Sequence, residues 1–289
     1  MRIGLSTPMV MQLPGVSSAW EQDAPIADLA RIAQCADALG FDHLTCAEHV
    51  AVPVDAAGQR GLVYWDPLST FGFLAAHTTS IRLATSVVVL GYHHPLEIAK
   101  RFGTLDRISE GRLVLGVGVG SLAEEFDLLG ATFDGRGEIA DDAIGALRAA
   151  LSQRRPSYQG THYRFDGFAV EPCAVQPHVP IWVGGRTLRS LRRAVTLADG
   201  WMPFGLSTTE LTTMLGRVET PTGFEVVLPT GHAIDPTGDP ERTTQRLNAL
   251  RDAGATSVTC SVTAQSAEHY CEQLTALYEL AGTLEKGSS

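Results

Sequence analysis

The sequence predicts an α/β protein with a (β/α)8 barrel architecture, and three observations lead to it. Eight short apolar runs recur along the 289 residues, near 2–7, 43–47, 81–90, 112–117, 180–184, 199–203, 224–230 and 256–262. They are rich in Val, Ile and Leu, as strands covered on both faces of a parallel sheet are. Stretches of helical period stand between most of them, for example at 67–78, 95–107, 136–151, 187–197 and 241–253. Two junctions also read alike. ALGFDHLTC and DAGATSVTC are each a helix end, a glycine, and a strand ending near a cysteine. Such alternation closes into a barrel or, as the competing architecture, opens into a doubly wound sheet.

The elements follow from their side chains. IADLARIAQCADALG sets Ile26, Leu29, Ala33 and Ala36 at helical spacing and stops at Gly40, where a glycine ends a helix readily. ERTTQRLNALRDAG repeats the pattern with Leu247, Leu250 and Gly254. Two stretches break the rhythm. Residues 51–66 form a long loop after strand two. Residues 152–179, with Pro156, Pro172 and Pro177 and bounded by Pro180, form another after strand four and before strand five. Long loops on a barrel are expected to be lids or interaction surfaces. No domain boundary is visible, so residues 1–285 read as one barrel domain and the closing KGSS, 286–289, as a tail.

Charge and cysteines exclude several classes. With 22 Lys and Arg against 32 Asp and Glu, the net charge is −10, which opposes binding to nucleic acid or anionic lipid. No apolar run is long enough for a membrane span, and the strand-like RIGLSTP opens the chain without a leader pattern. The five cysteines, Cys35, Cys46, Cys173, Cys260 and Cys271, are odd in number and widely spaced, with no C-x-x-C pair. Reduced thiols in the cytoplasm are expected, not a disulfide framework or a zinc site.

In a barrel, the residues just after each strand share one cavity. Strand one is followed by Ser6, Thr7 and Pro8, and strand two by a carboxylate and an imidazole side by side, Glu48 and His49. GVGVGS ends strand four and VGGR ends strand five. Glycines there let the backbone approach a flat or phosphorylated ligand and present N–H donors. Familiar motifs are missing. GVGVG comes fourth in the series and lacks the dinucleotide spacing, and there is no P-loop and no G-x-S-x-G elbow. His93 and His94 have no metal-ligand spacing around them, so no metal is expected.

The residues that join these pieces are AEHV, the long block LATSVVVLGYHHPLEIAKRFGTLDRISEGRLVLGVGVGSLAEEF, and PIWVGGRTLRSLRRAVTLADGWM. On them the chain resembles the luciferase-like monooxygenase superfamily, and more narrowly its actinobacterial oxidoreductases that use the deazaflavin coenzyme F420. The resemblance implies a luciferase-like barrel holding a deazaflavin or flavin ring at the C-terminal mouth. It places His49 beside the reactive face of the ring, with Glu48 as the acid before it. Ser86–Val87 matches a non-proline cis peptide behind the ring, and Val89 lines the ring on the same strand. Gly118, Val119, Gly120 and Ser121 match the turn beside the cofactor, with Glu124 just beyond. Gly184, Gly185 and Arg186 match the turn near its phosphate-bearing tail. The family also implies a homodimer. One position departs: Ser121 stands where many relatives carry Trp and some deazaflavin enzymes a catalytic Glu.

Hydride transfer between coenzyme F420 and a small organic substrate is the activity this resemblance implies, with FMN as the alternative cofactor of a monooxygenase. A cofactor-binding barrel without its own turnover and a lyase acting on a phosphorylated metabolite are further readings. For the lyase, no lysine stands at a strand end for Schiff-base chemistry. Arg186, Arg189, Arg192 and Arg193 crowd eight residues of an acidic chain. Of these, Arg186, Arg189 and Arg193 are spaced to share a helical face and meet the phosphate and acidic tail of F420.

Overall fold

The eight expected strands pair in parallel and close on themselves. In the computed structural model, which describes residues 1–286, they are β1 (Arg2–Ser6), β2 (His43–Cys46), β3 (Arg82–Thr85), β4 (Leu113–Gly118), β5 (Ile181–Gly184), β6 (Gly200–Met202), β7 (Glu225–Ile234) and β8 (Ser257–Val262). Neighbours in sequence are neighbours in the sheet. The ring closes where β8 meets β1, with Cys260 opposite Leu5, and β4 meets β5 with Val117 opposite Val183. A helix follows each strand: α1 (Ile26–Leu39), α2 (Pro67–His77), α3 (Pro95–Ile108), α4 (Arg136–Ala150), α5 (Leu188–Leu197), α6 (Thr208–Leu215), α7 (Pro240–Asp252) and α8 (Ala267–Lys286). This is a (β/α)8 barrel, not the open sheet. Of the expected tail, only Lys286 is described, as the end of α8, and 287–289 lie outside the described residues.

Local chemistry sets the boundaries. Gly40 takes φ 82° and donates back to Ala36 and Asp37, closing α1 as a left-handed glycine does. α2, α3 and α7 each begin with proline behind a capping side chain, and Asp66, His94 and Asp239 accept the N–H groups of Ser69, Leu96 and Arg242. None of the helices among the described residues is long and apolar enough to cross a membrane.

The core has two layers. A large shell between sheet and helices contains Leu5, Leu44, Leu83, Leu115, Ile181, Trp201, Leu228 and Val258. A separate cluster of Ala84, Val114, Trp182, Met202 and Val227 fills the barrel interior, and Val87 packs against it. At the N-terminal end of the strands the barrel is plugged by charge. Arg82 pairs with Asp42 at 2.6 Å and Glu225 at 3.3 Å, and Arg2 also pairs with both acids. The wholly buried His43 hydrogen-bonds Asp42 at 2.7 Å and Thr259 at 2.8 Å. Burial would raise the Asp42 carboxyl, but the His43 hydrogen bond and the Arg82 charge hold it below the usual carboxylate range. Burial keeps His43 below the ordinary histidine value in spite of Asp42. This network closes the N-terminal end of the barrel interior.

Two expected elements differ in detail. The run 81–90 is not one strand: it breaks at Ser86–Val87 and resumes as a two-residue piece, Val88–Val89, paired with Val117–Gly118. The long segment 152–179 follows α4 and not β4, so it begins and ends at the closed end of the barrel. It lies against the outer wall, where Asp142 of α4 accepts from Tyr158, His162 and Tyr163, and Asp106 of α3 accepts from Val175 and Gln176. It is not a lid. The 51–66 segment does stand at the mouth, pinned by antiparallel pairing of Tyr64 with Met11 and Val63 with Gln12.

Candidate active site

Beyond Cys46 the chain leaves β2 and presents Glu48 and His49 to different partners, as successive residues on extended backbone do. Glu48 is buried beneath the mouth. Its Oε2 accepts the Val89 N–H at 2.7 Å and its Oε1 meets His93 Nε2 at 2.7 Å. The hydrogen bond to Glu48 raises the His93 pKa above the ordinary histidine value, more than burial lowers it. Glu48 thus ties the end of β2 to the segment behind the expected ring. It does not touch His49's ring nitrogens.

His49 pairs instead with a carboxylate on the six-residue helix Ala123–Leu128. Its Nδ1 lies 2.7 Å from Glu125 Oε2, and that oxygen also accepts the Tyr92 hydroxyl at 2.8 Å. Glu125 Oε1 takes the N–H groups of Val50 at 2.6 Å and Ala51 at 3.1 Å. Burial would raise this carboxyl, but the His49, Ala51 and Tyr92 hydrogen bonds outweigh it and hold Glu125 below its ordinary value. A carboxylate kept ionised there places the imidazole proton on Nδ1, so Nε2 is left without a protein partner among the described residues. Tyr64 packs edge-on against His49, with ring centroids 4.5 Å apart.

The floor of the mouth is built from Val87 and glycines. The Ser86–Val87 peptide is cis, as the resemblance implies. A Cβ on Gly118 would stand 2.6 Å from Val87 Cγ2, and one on Gly184 2.8 Å from Val87 Cγ1. Only glycine fits at either position, and the half-exposed Val87 sits wedged between them above the interior cluster. Gly120 has φ +77° and lies over Val89, which is itself buried, so Val89 contributes its backbone and not an open side chain. Val119 is half-buried, and Ser121 is exposed with its Oγ accepting from Arg60 Nη1 at 3.2 Å. Gly185 leads to Arg186, whose guanidinium lies 5.9 Å from the Phe204 ring. At the start of α5, Thr187 and Ser190 cap each other.

The sequence expectations sort accordingly. His49, Val87, Gly118, Gly120, Ser121 and Gly184 come together at the mouth. Glu124 is exposed and turned away, and its neighbour Glu125 takes the inward place. Arg193 does not share a face with Arg186 and Arg189. It is buried, ion-paired with Asp141, and donates to the Gly137 carbonyl, which ties α5 to α4. The reading missed Glu125, Tyr92, Tyr64 and Arg60. EEF offered two adjacent acids on a short helix, where one residue of register decides which is buried. No cluster of three or more His, Cys, Asp or Glu side chains among the described residues is arranged to hold a metal ion.

A flat aromatic ring suits this mouth: an apolar ledge at Val87, side-chain-free walls at Gly118 and Gly184, and a His49 nitrogen at the end of the neighbouring strand. Comparison with known proteins gives the class. The family model for luciferase-like monooxygenases matches residues 1–220, and the chain belongs to that family. An uncharacterised Mycobacterium tuberculosis protein is 32% identical over 186 residues, 60% of this chain and 66% of that one, so the match spans just under two thirds of its length. An F420-dependent glucose-6-phosphate dehydrogenase of Nakamurella multipartita is 29% identical over 191 residues, 65% of this chain and 55% of that one. Among solved structures, the monooxygenase RslO1 of Streptomyces bottropensis superposes with TM-score 0.76 at 21% identity, covering 99% of this chain and 100% of that one. An F420-dependent secondary alcohol dehydrogenase bound to an F420–acetone adduct gives 0.74 at 15%, covering 96% and 98%. A Pseudomonas putida Baeyer–Villiger monooxygenase component in complex with FMN gives 0.68 at 15%, covering 96% and 97%. These structures share the fold.

Proposed function

We propose that the protein is an oxidoreductase that transfers a hydride between coenzyme F420 and a small organic substrate. The observation that carries this reading is the His49–Glu125 pair at the end of β2, next to the strand that ends at the Val87 ledge. The bound deazaflavin supplies the hydride chemistry, and the chain supplies position and protons. Val87, Gly118 and Gly184 support the ring. His49 Nε2 gives or takes a proton at the substrate, with Glu125 fixing Nδ1 and stabilising the imidazolium that forms. Arg60, beside Ser121, brings a positive charge to the place where some relatives carry an acid, and stabilises negative charge developing on the substrate.

F420 is favoured over FMN by the exposed Arg186, Arg189 and Arg192 at and before α5. FMN offers them one phosphate, whereas F420 adds an acidic tail. The Thr187–Ser190 capping box uses two N–H groups of that helix start and leaves those of Leu188 and Arg189 to an anion. The reading includes, from the family, a cytoplasmic homodimer acting on a small molecule, and sedimentation reads the dimer directly. The functional test is turnover of reduced F420 with a panel of carbonyl and enone substrates, in native protein and in His49→Ala. Turnover with reduced FMN and oxygen alone moves the protein to the monooxygenase reading.

A further inference from the structure

The fold brings together two cysteines that stand 236 residues apart in sequence. Cys35 on α1 places its Sγ 3.9 Å from the carbonyl oxygen of Cys271 on α8. This contact brings the two residues together across the helix pair, and both are partly exposed. α1 and α8 are the first and last helices of the barrel, packed side by side where β8 meets β1. The other three cysteines, Cys46, Cys173 and Cys260, are buried.

We propose that Cys35 and Cys271 form a peroxide-reactive dithiol that closes to a disulfide across the α1–α8 seam. This goes beyond the reading of the barrel mouth and does not depend on it. The two thiols have separate roles. The neighbouring Cys271 side chain lowers the Cys35 thiol to about 7, against the opposing effect of burial, so Cys35 ionises more readily than an ordinary thiol. The same contact raises Cys271, which therefore waits as the protonated partner. By contrast, burial pushes Cys46 and Cys260 up to about 12 and leaves them inert. A low-pKa, accessible thiolate beside a second thiol is the arrangement that reacts with peroxide and then resolves.

The chemistry balances with hydrogen peroxide as oxidant. The Cys35 thiolate attacks one peroxide oxygen; an S–O bond forms, the O–O bond breaks, and hydroxide leaves and takes a proton from solvent. Cys271 then gives its proton to the departing oxygen and attacks Cys35 Sγ; the S–S bond forms, the S–O bond breaks, and water leaves. Two thiols and one peroxide become one disulfide and two waters. The bridge closes a very long loop, so it restrains the unfolded chain and raises thermal stability.

The test treats reduced, native full-length protein with about ten equivalents of hydrogen peroxide and follows it by intact mass and thiol alkylation. The expected product has lost two hydrogens and two alkylatable thiols, yields a Cys35–Cys271 cross-linked peptide, and melts roughly 5–10 °C higher. In Cys271→Ser, Cys35 should halt as a sulfenic acid that dimedone traps, and in Cys35→Ser the reaction should disappear. Wild-type protein in which both thiols remain alkylatable after peroxide overturns the proposal. So does a product with Cys35 as sulfinic acid and Cys271 still free. The wild-type peptide map decides the matter even if a serine variant fails to fold.

Discussion

His49 Nδ1 and Glu125 Oε2 are 2.7 Å apart, and the side chain of Glu125 is wholly buried. Three further donors, from Tyr92, Val50 and Ala51, converge on the same carboxylate. Glu125 therefore fixes both the tautomer of His49 and the course of the chain just after it. If the two act as one unit, His49→Ala should lower turnover by roughly two to four orders of magnitude. Glu125→Gln should cost a similar amount, and the double variant little more than either alone. Additive losses in that cycle would show two independent roles.

The ledge gives a steric prediction. Gly118→Ala puts a methyl 2.6 Å from Val87 Cγ2 and pushes Val87 toward the mouth. Overpacking of this kind costs about 1–3 kcal/mol in stability, which chemical denaturation reads. Cofactor affinity should fall by about tenfold or more, since the displaced Val87 takes the ring's place. Native-like affinity in a folded Gly118→Ala protein would move the ring elsewhere.

Two histidines should respond oppositely to pH. His43 has a folded pKa below its unfolded value, so as pH falls the unfolded chain takes the proton first, and stability drops once pH passes below about 6.5. His93 has a folded pKa above its unfolded value, so its contribution is complete below about 6.5 and disappears as pH rises through the folded pKa. NMR titration of the imidazoles checks both. His43 should remain neutral where ordinary histidines are charged, and His93 should remain charged where they are neutral. In Glu48→Gln, His93 should return toward the ordinary value.

The arginines at the start of α5 divide by burial. Arg186→Ala should weaken F420 binding by about 1.5–3 kcal/mol, the range for a lost charged hydrogen bond. Arg189→Ala should flatten the salt dependence of binding, because exposed charge attraction is screened over about 10 Å at ordinary ionic strength. Arg193→Ala should do neither. It should lower stability by removing a buried guanidinium that pairs with the half-exposed Asp141 and donates to the Gly137 carbonyl. A salt slope that depends on Arg193 and not on Arg189 would reverse the assignment.

The barrel was legible because it is written in local signals: eight apolar runs, helical periods between them, and glycines such as Gly40 at the helix ends. The mouth was legible at His49 and the glycines, where chain order alone puts strand ends in one cavity, and at Val87 only through the family resemblance. What stayed hidden depended on contacts between distant segments. Glu125 differs from Glu124 only by the direction its side chain takes on a six-residue helix. Arg193 lies at the right spacing to share a face with Arg189, yet Asp141 of the preceding helix draws it inside. Glu48, adjacent to His49 in sequence, serves Val89 and His93. Cys35 and Cys271 become neighbours only when the barrel closes and sets α8 against α1.

The most direct measurement is a titration of the purified protein with F420 and, separately, with FMN, followed by cofactor absorbance and fluorescence, in native protein and Gly118→Ala. The account predicts saturable F420 binding that is tighter than FMN binding, with both weakened by Gly118→Ala. A native protein that binds neither cofactor, or binds both equally well with alanine at position 118, would contradict a ring seated on Val87.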